Sequence, residues 1–184
     1  MTGKELFSEL QTNWDFKPNA CMQLLRRSFL VDNKLTFCEG LLHEDEVFTL
    51  ECATLAQRAA YIAAAYLKRR IRGNSIMTSA QKAGSIYGYY YGIEQLLEFA
   101  QRHLFVHDTP FIDLYLQRVL VLMESSARLF AKVSETDKEE ILDGVEKDRQ
   151  FTFAADMKAW QKNISLREKL DSARGEKKAA QDEK

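Results

Sequence analysis

Arg102 and His107 stand five positions apart, with a second imidazole, His103, directly after the arginine. On a helix or at its end this spacing keeps the side chains within about one and a half turns, near enough to share one phosphodiester. A guanidinium there binds the phosphate and stabilises charge building on it. An imidazole takes the 2′-hydroxyl proton and later protonates the leaving oxygen. Arg102, His107 and His103 are therefore a candidate centre for metal-independent RNA cleavage, which needs neither a nucleophilic side chain nor a cofactor. Lys68, Arg69, Arg70 and Arg72 form a second candidate, a cationic run able to hold nucleic-acid phosphate. Placed at the end of a predicted helix, the same run also suits the helix dipole.

The motif segment continues through Thr109-Pro110 to Ile112-Asp113. Arg-x4-His followed by Ile-Asp resembles the R-x4-6-H motif of the HEPN family, small all-α proteins of toxin–antitoxin, abortive-infection and CRISPR-type systems. In that family the residue after the arginine is usually polar, as His103 is, and one branch continues into a helix with an Ile-Asp pair. Thr109 stands where that branch usually has tyrosine. The resemblance implies a homodimer whose two motifs face each other across a cleft, cleaving RNA or binding it without catalysis, in a bacterial or phage conflict system. The residues leave a second reading open, a non-enzymatic helical adaptor or dimeric protein-interaction module. In that reading Arg102 and the histidines finish a helix C-terminus, where cations are favoured. The two readings differ in where Arg102 and His107 point: into a shared solvent-facing cleft, or into local helix contacts.

The elements that must position these residues are predicted to be helices. Leu6, Phe7 and Leu10 at helical spacing give a short first helix ending near Asn13-Trp14. Pro18 suits the first turn of a second, with Met22, Leu24, Leu25, Phe29 and Leu30 on its apolar side. From Glu44 to about Arg70 there is no proline or glycine, so one long alanine-rich helix is predicted over 44–72, stopped by Gly73-Asn74-Ser75. A second long helix is predicted over 76–106. There Ala80, Gly84, Gly88 and Gly92 recur every four residues, a stripe of small side chains. Each helix-interior glycine costs on the order of 1 kcal/mol relative to alanine, and close backbone approach at a helix-packing or dimer interface would offset that. The alanine side of the preceding helix is the expected partner. Tyr87, Tyr89, Tyr90 and Tyr91 surround the stripe, either covering the packed pair with their hydroxyls at its edge or lining a groove. A third long helix is predicted over 110–133, with Thr109 as N-cap and Pro110 first inside. Ser134 with Asp137 then opens an amphipathic helix to about Val145, and Phe151, Phe153, Met157, Trp160 and Ile164 mark another.

The chain has 184 residues, 46% of them hydrophobic and 29% charged, which fits an ordinary globular domain and excludes wholesale disorder. Two prolines and eight glycines are too few for the turns of an all-β sandwich. The expected fold is all-α, one bundle of six or seven helices over 1–165, with a charged tail over 166–184. Twenty-six basic residues against 27 acidic ones give no bulk field to attract nucleic acid or membrane. The N-terminal residues show no signal peptide, and no window reaches the roughly 18 apolar residues of a membrane span, so a cytoplasmic location without membrane attachment is expected. Cys21, Cys38 and Cys52 are odd in number and lack CxxC spacing, and His43, His103 and His107 are the only histidines. Neither a disulfide framework, a metal site nor a cofactor is expected. Glu44-Asp45-Glu46 falls in a helix's first turn, where acids suit the dipole, and is not read as a metal site.

Overall fold

A computed structural model describes residues 1–68, 82–103, 108–146 and 149–182. Among these the chain is all-α: seven α-helices, one short 3₁₀ turn and no strand. The helices are α1 (Gly3–Thr12), α2 (Arg27–Asp32), α3 (Glu44–Leu55), α4 (Lys82–His103), α5 (Thr109–Ala131), α6 (Glu135–Asp143) and α7 (Gln150–Asp182), with the 3₁₀ turn at Ala20–Met22. They form two compact units, Met1–Leu122 and Met123–Lys184, with α5 contributing to both.

In the first unit, α1 opens with a full capping box. Thr2 Oγ1 accepts the Glu5 N–H at 3.2 Å, while Glu5 Oε2 accepts the Thr2 N–H at 2.7 Å. Phe7, buried on α1, meets Phe16 edge-on at 4.8 Å between ring centroids and Phe111 of α5 at 5.6 Å. Leu50, Ile86, Leu96, Tyr115 and Val119 are buried as well. The Tyr115 hydroxyl donates to the Leu96 carbonyl at 2.8 Å, which satisfies a polar group that would otherwise cost free energy in the interior. A satellite cluster joins Leu35, Phe48 and Cys52 to Leu25, Phe29, Leu30 and Leu55.

The long helix predicted over 44–72 does not form. α3 ends at Leu55, and Ala56 is extended at φ −68°, ψ 117°. The cause is tertiary. The Ala56 carbonyl accepts the Gly3 N–H at 2.7 Å, and the Ala59 N–H donates to the Met1 carbonyl at 2.8 Å. Gly3 lies so close to this turn that a Cβ on it would fall 2.3 Å from the Ala53 oxygen. These bonds occupy groups that a continuing helix needs for itself, and they override the strong helix propensity of alanine. Residues 57–68 are irregular, with i→i+2 bonds from Ala64 N–H to Ile62 and from Tyr66 N–H to Ala64.

The helix expected after Pro18 is replaced by a capped 3₁₀ turn and the short α2. Asn19 Oδ1 accepts the Cys21 N–H at 3.0 Å, a local side-chain bond that competes with helix. Of its predicted apolar side, Leu25, Phe29 and Leu30 reach the satellite cluster, while Met22 and Leu24 face solvent. α4 covers the described part of the helix predicted over 76–106. α5 starts one residue earlier than predicted: the Asp108 carbonyl accepts the Ile112 N–H at 3.0 Å, so Asp108 is the cap and Pro110 the second helical residue.

The second unit buries Ser126, Ala127, Phe130, Val133, Ile141, Val145, Phe153, Met157 and Ile164. Phe130 of α5 and Phe153 of α7 meet edge-on at 5.9 Å. Ser134 caps α6 by accepting the Asp137 N–H at 3.1 Å. α7 is continuous to Asp182, so the charged stretch from 166 to 182 is helical.

Candidate functional site

Arg102 and His103 lie in the last turn of α4, both exposed. Arg102 Nε donates to the Glu98 carbonyl of its own helix at 3.2 Å. The Arg102 charge also acts on Glu51 of α3: burial pushes the Glu51 carboxyl up, and the guanidinium draws it back. The His103 ring lies against the buried Phe99 one turn earlier, at 4.4 Å between centroids. His107 falls outside the described residues, so the Arg102–His107 geometry does too. On the far side of the motif, Asp108 takes an ion pair from Lys4 at 2.6 Å, and Lys4 also sits 5.0 Å from the Phe111 ring centre. Ile112 is half-buried and Asp113 exposed.

Lys68 is exposed; Arg69, Arg70 and Arg72 lie outside the described residues. Because α3 stops at Leu55, Lys68 does not stand at the C-terminus of that helix, and its charge does not complement the α3 dipole. Among the described residues no group of three or more His, Cys, Asp or Glu could hold a metal ion. Cys21 is exposed, Cys38 half-buried and Cys52 buried, all three free thiols.

The glycine stripe meets a partner other than the alanine segment. A Cβ on Gly88 would stand 2.0 Å from the Leu42 carbonyl oxygen; on Gly84, 3.0 Å from Leu42 Cδ1; on Gly92, 3.1 Å from Val47 Cγ2. The three glycines thus receive Leu42, which leads into α3, and Val47 within it, while Ala80 falls outside the described residues. Tyr90 is buried, Tyr91 lies edge-on to it at 5.6 Å, and Tyr89 turns to the α3 side.

Around that contact the structure assembles a polar cluster from three helices. Glu46 of α3 and Arg118 of α5 form a two-pronged pair: Nε to Oε2 at 3.0 Å and Nη2 to Oε1 at 2.7 Å. Each side chain is only 14% exposed. The guanidinium also stands 5.3 Å from the Phe16 ring centre. Burial pushes the Glu46 carboxyl up, with Arg118 pulling against it. Beside the pair, the His43 ring stacks on Tyr89 at 4.1 Å and 5°. His43 is the N-cap residue of α3, in the left-handed region at φ 64°, and its side chain caps nothing. Its Nε2 is shut from solvent with no hydrogen-bond partner among the described residues. Burial lowers the His43 pKa, against the opposing charges of Asp45 and Glu44. Asp45 is itself pushed up by burial and by Glu44.

Chemically the cluster is a clamp between helices. A general base must come within about 3 Å of the proton it takes, and a sealed Nε2 does not present itself to a substrate. Sequence reading missed the cluster, although one signal was there. Arg118 is a single cation inside the apolar run Leu114–Met123, and a charge so placed needs a partner.

No protein-family model matches the chain, and comparison with curated proteins and with solved structures gives no match.

Proposed function

We propose that this chain is a non-enzymatic helical interaction module of the adaptor kind. The observation that carries the reading is the Arg102 Nε bond to Glu98 on its own helix. A guanidinium binds phosphate best through two parallel N–H groups, and one of the groups available for such a fork is already engaged. His103, laid on Phe99, is likewise engaged in its own helix. Exposed apolar side chains point the same way: Tyr61, Ile62, Tyr66 and Leu67 within one short segment, and Leu116 and Leu120 one turn apart on α5. Covering such surface returns roughly 25 cal/mol per Å², which is how a partner chain, or a second copy in a homodimer, would be held.

A second reading, HEPN-like RNA binding or cleavage, is favoured by the exposure of Arg102 and His103 shortly before His107 in the chain. One assay separates the two. A short labelled RNA is incubated with the full chain and a chelator at moderate salt, and both retention and cleavage are followed. The interaction reading expects neither. Cleavage that falls by the 10²–10⁴-fold typical of a lost acid–base group in His107→Ala, with the fold intact, would replace it by the RNA reading. Sedimentation of the same sample reports whether the chain pairs with itself.

A further inference from the structure

His43, whose ring lies flat on Tyr89, combines two features that conflict with a positive charge on it. Its Nε2 is buried without an acceptor among the described residues. It stands at the N-terminus of α3, the positive end of the helix dipole. The groups around it are Glu44 and Asp45 from α3 and Tyr89 from α4, with the Glu46–Arg118 pair acting on Tyr89. Asp45 and Glu44 attract a proton to the ring but accept no bond from Nε2 as it is placed. An imidazolium has two N–H donors to satisfy, and Nε2 meets no acceptor where the ring lies, so charging drives the ring out toward water. The same residue also fixes the backbone beside it. His43 holds a left-handed turn, and the neighbouring Leu42 carbonyl sits against Gly88 where no Cβ would fit.

We propose that the segment Leu42–Asp45 is an acid-released latch, in which proton uptake by His43 frees the lead-in to α3 from the Gly88–Tyr89 face of α4. The inference stands apart from the interaction reading and uses none of its residues. Its sign is set by linkage. In the open form the imidazole has its ordinary pKa of about 6.5; in the closed form burial lowers it. The open form therefore takes the proton first as pH falls. The latch is closed above about pH 6.5 and loses up to about tenfold in its closed-to-open ratio per pH unit below that, until the closed form also titrates.

Hydrogen exchange on the full chain tests this. The amides of Glu46, Val47 and Phe48 are followed from pH 7.5 to 5.0, corrected for intrinsic rates, with amides around Met157 as internal control. The expected result is a loss of protection confined to the α3 amides in the wild type. It should be absent in His43→Asn, which cannot titrate and tolerates the left-handed backbone. A wild type whose α3 protection is flat, or a His43→Asn variant with the same fall, overturns the proposal; the latter assigns the fall to Asp45 or Glu46. Should the variant fail to fold, the wild-type ring resonances decide. A His43 midpoint below that of the unfolded chain, with Tyr89 ring shifts lost in step, supports the latch. An ordinary midpoint with unmoved Tyr89 shifts refutes it.

Discussion

Arg118 lies among apolar neighbours with Glu46 meeting its guanidinium with both oxygens, and among the described residues neither side chain forms another ion pair. Removing one side of such a pair strands the other. Arg118→Met should therefore cost about 3–5 kcal/mol, while Glu46→Met with Arg118→Met should recover most of that loss. Urea unfolding of both singles and the double closes the cycle; a single variant as stable as the wild type would show that the pair contributes nothing. Half of this pair was readable beforehand. A lone cation in an apolar helix demands an anion, but three consecutive acids in a first turn are all explained by the helix dipole. Which of Glu44, Asp45 and Glu46 turns inward depends on how α3 meets α5, and no local pattern encodes it. His43 was equally opaque, because its left-handed turn and its stack on Tyr89 are set by the backbone contact of Leu42 with Gly88.

Elements with strong periodicity and a clear stop were legible: α1 from Leu6, Phe7 and Leu10, α5 from its apolar run, and α6 from Ser134. The stripe of Gly84, Gly88 and Gly92 was legible as a place of close approach, but its partner was not. The alanine-rich side of 56–64 looked right by composition, whereas the stripe in fact receives Leu42 and Val47. The three glycines are also unequal. At Gly88 an added methyl would strike a backbone carbonyl at 2.0 Å, and at Gly92 a valine methyl at 3.1 Å, where a shift of a few tenths of an ångström suffices. Gly88→Ala should lose on the order of 1–3 kcal/mol by overpacking. Gly92→Ala should stay near the wild type, because alanine regains about 1 kcal/mol of helix propensity. Thermal unfolding ranks them, and a Gly88→Ala midpoint at or above that of Gly92→Ala would contradict the contact.

At the scale of the molecule, the all-α class was readable from few prolines, few glycines and apolar residues at helical spacing, because those quantities need no knowledge of long-range contacts. Among the described residues no helix is long and apolar enough to cross a membrane. The extent of α3 was not readable, since it depends on residues more than fifty positions away. The irregular segment that results, 57–68, is exposed at nearly every position, with Tyr61 and Tyr66 in solvent. Brief chymotrypsin treatment should cut after Tyr61 or Tyr66 before any site inside α3, α4 or α5, because a protease needs an extended, accessible backbone. First cuts inside those helices would mean that the segment is helical after all. The bonds from Gly3 to Ala56 and from Ala59 to Met1 also impose an order in time. On the ribosome Gly3 emerges long before Ala56, and the loop between them must close before either bond exists. Until then nothing restrains the alanines that follow Leu55, and the nascent chain is free to wind them onto α3. The end of α3 is therefore a property of the closed loop and not of the local sequence, whose alanines favour helix.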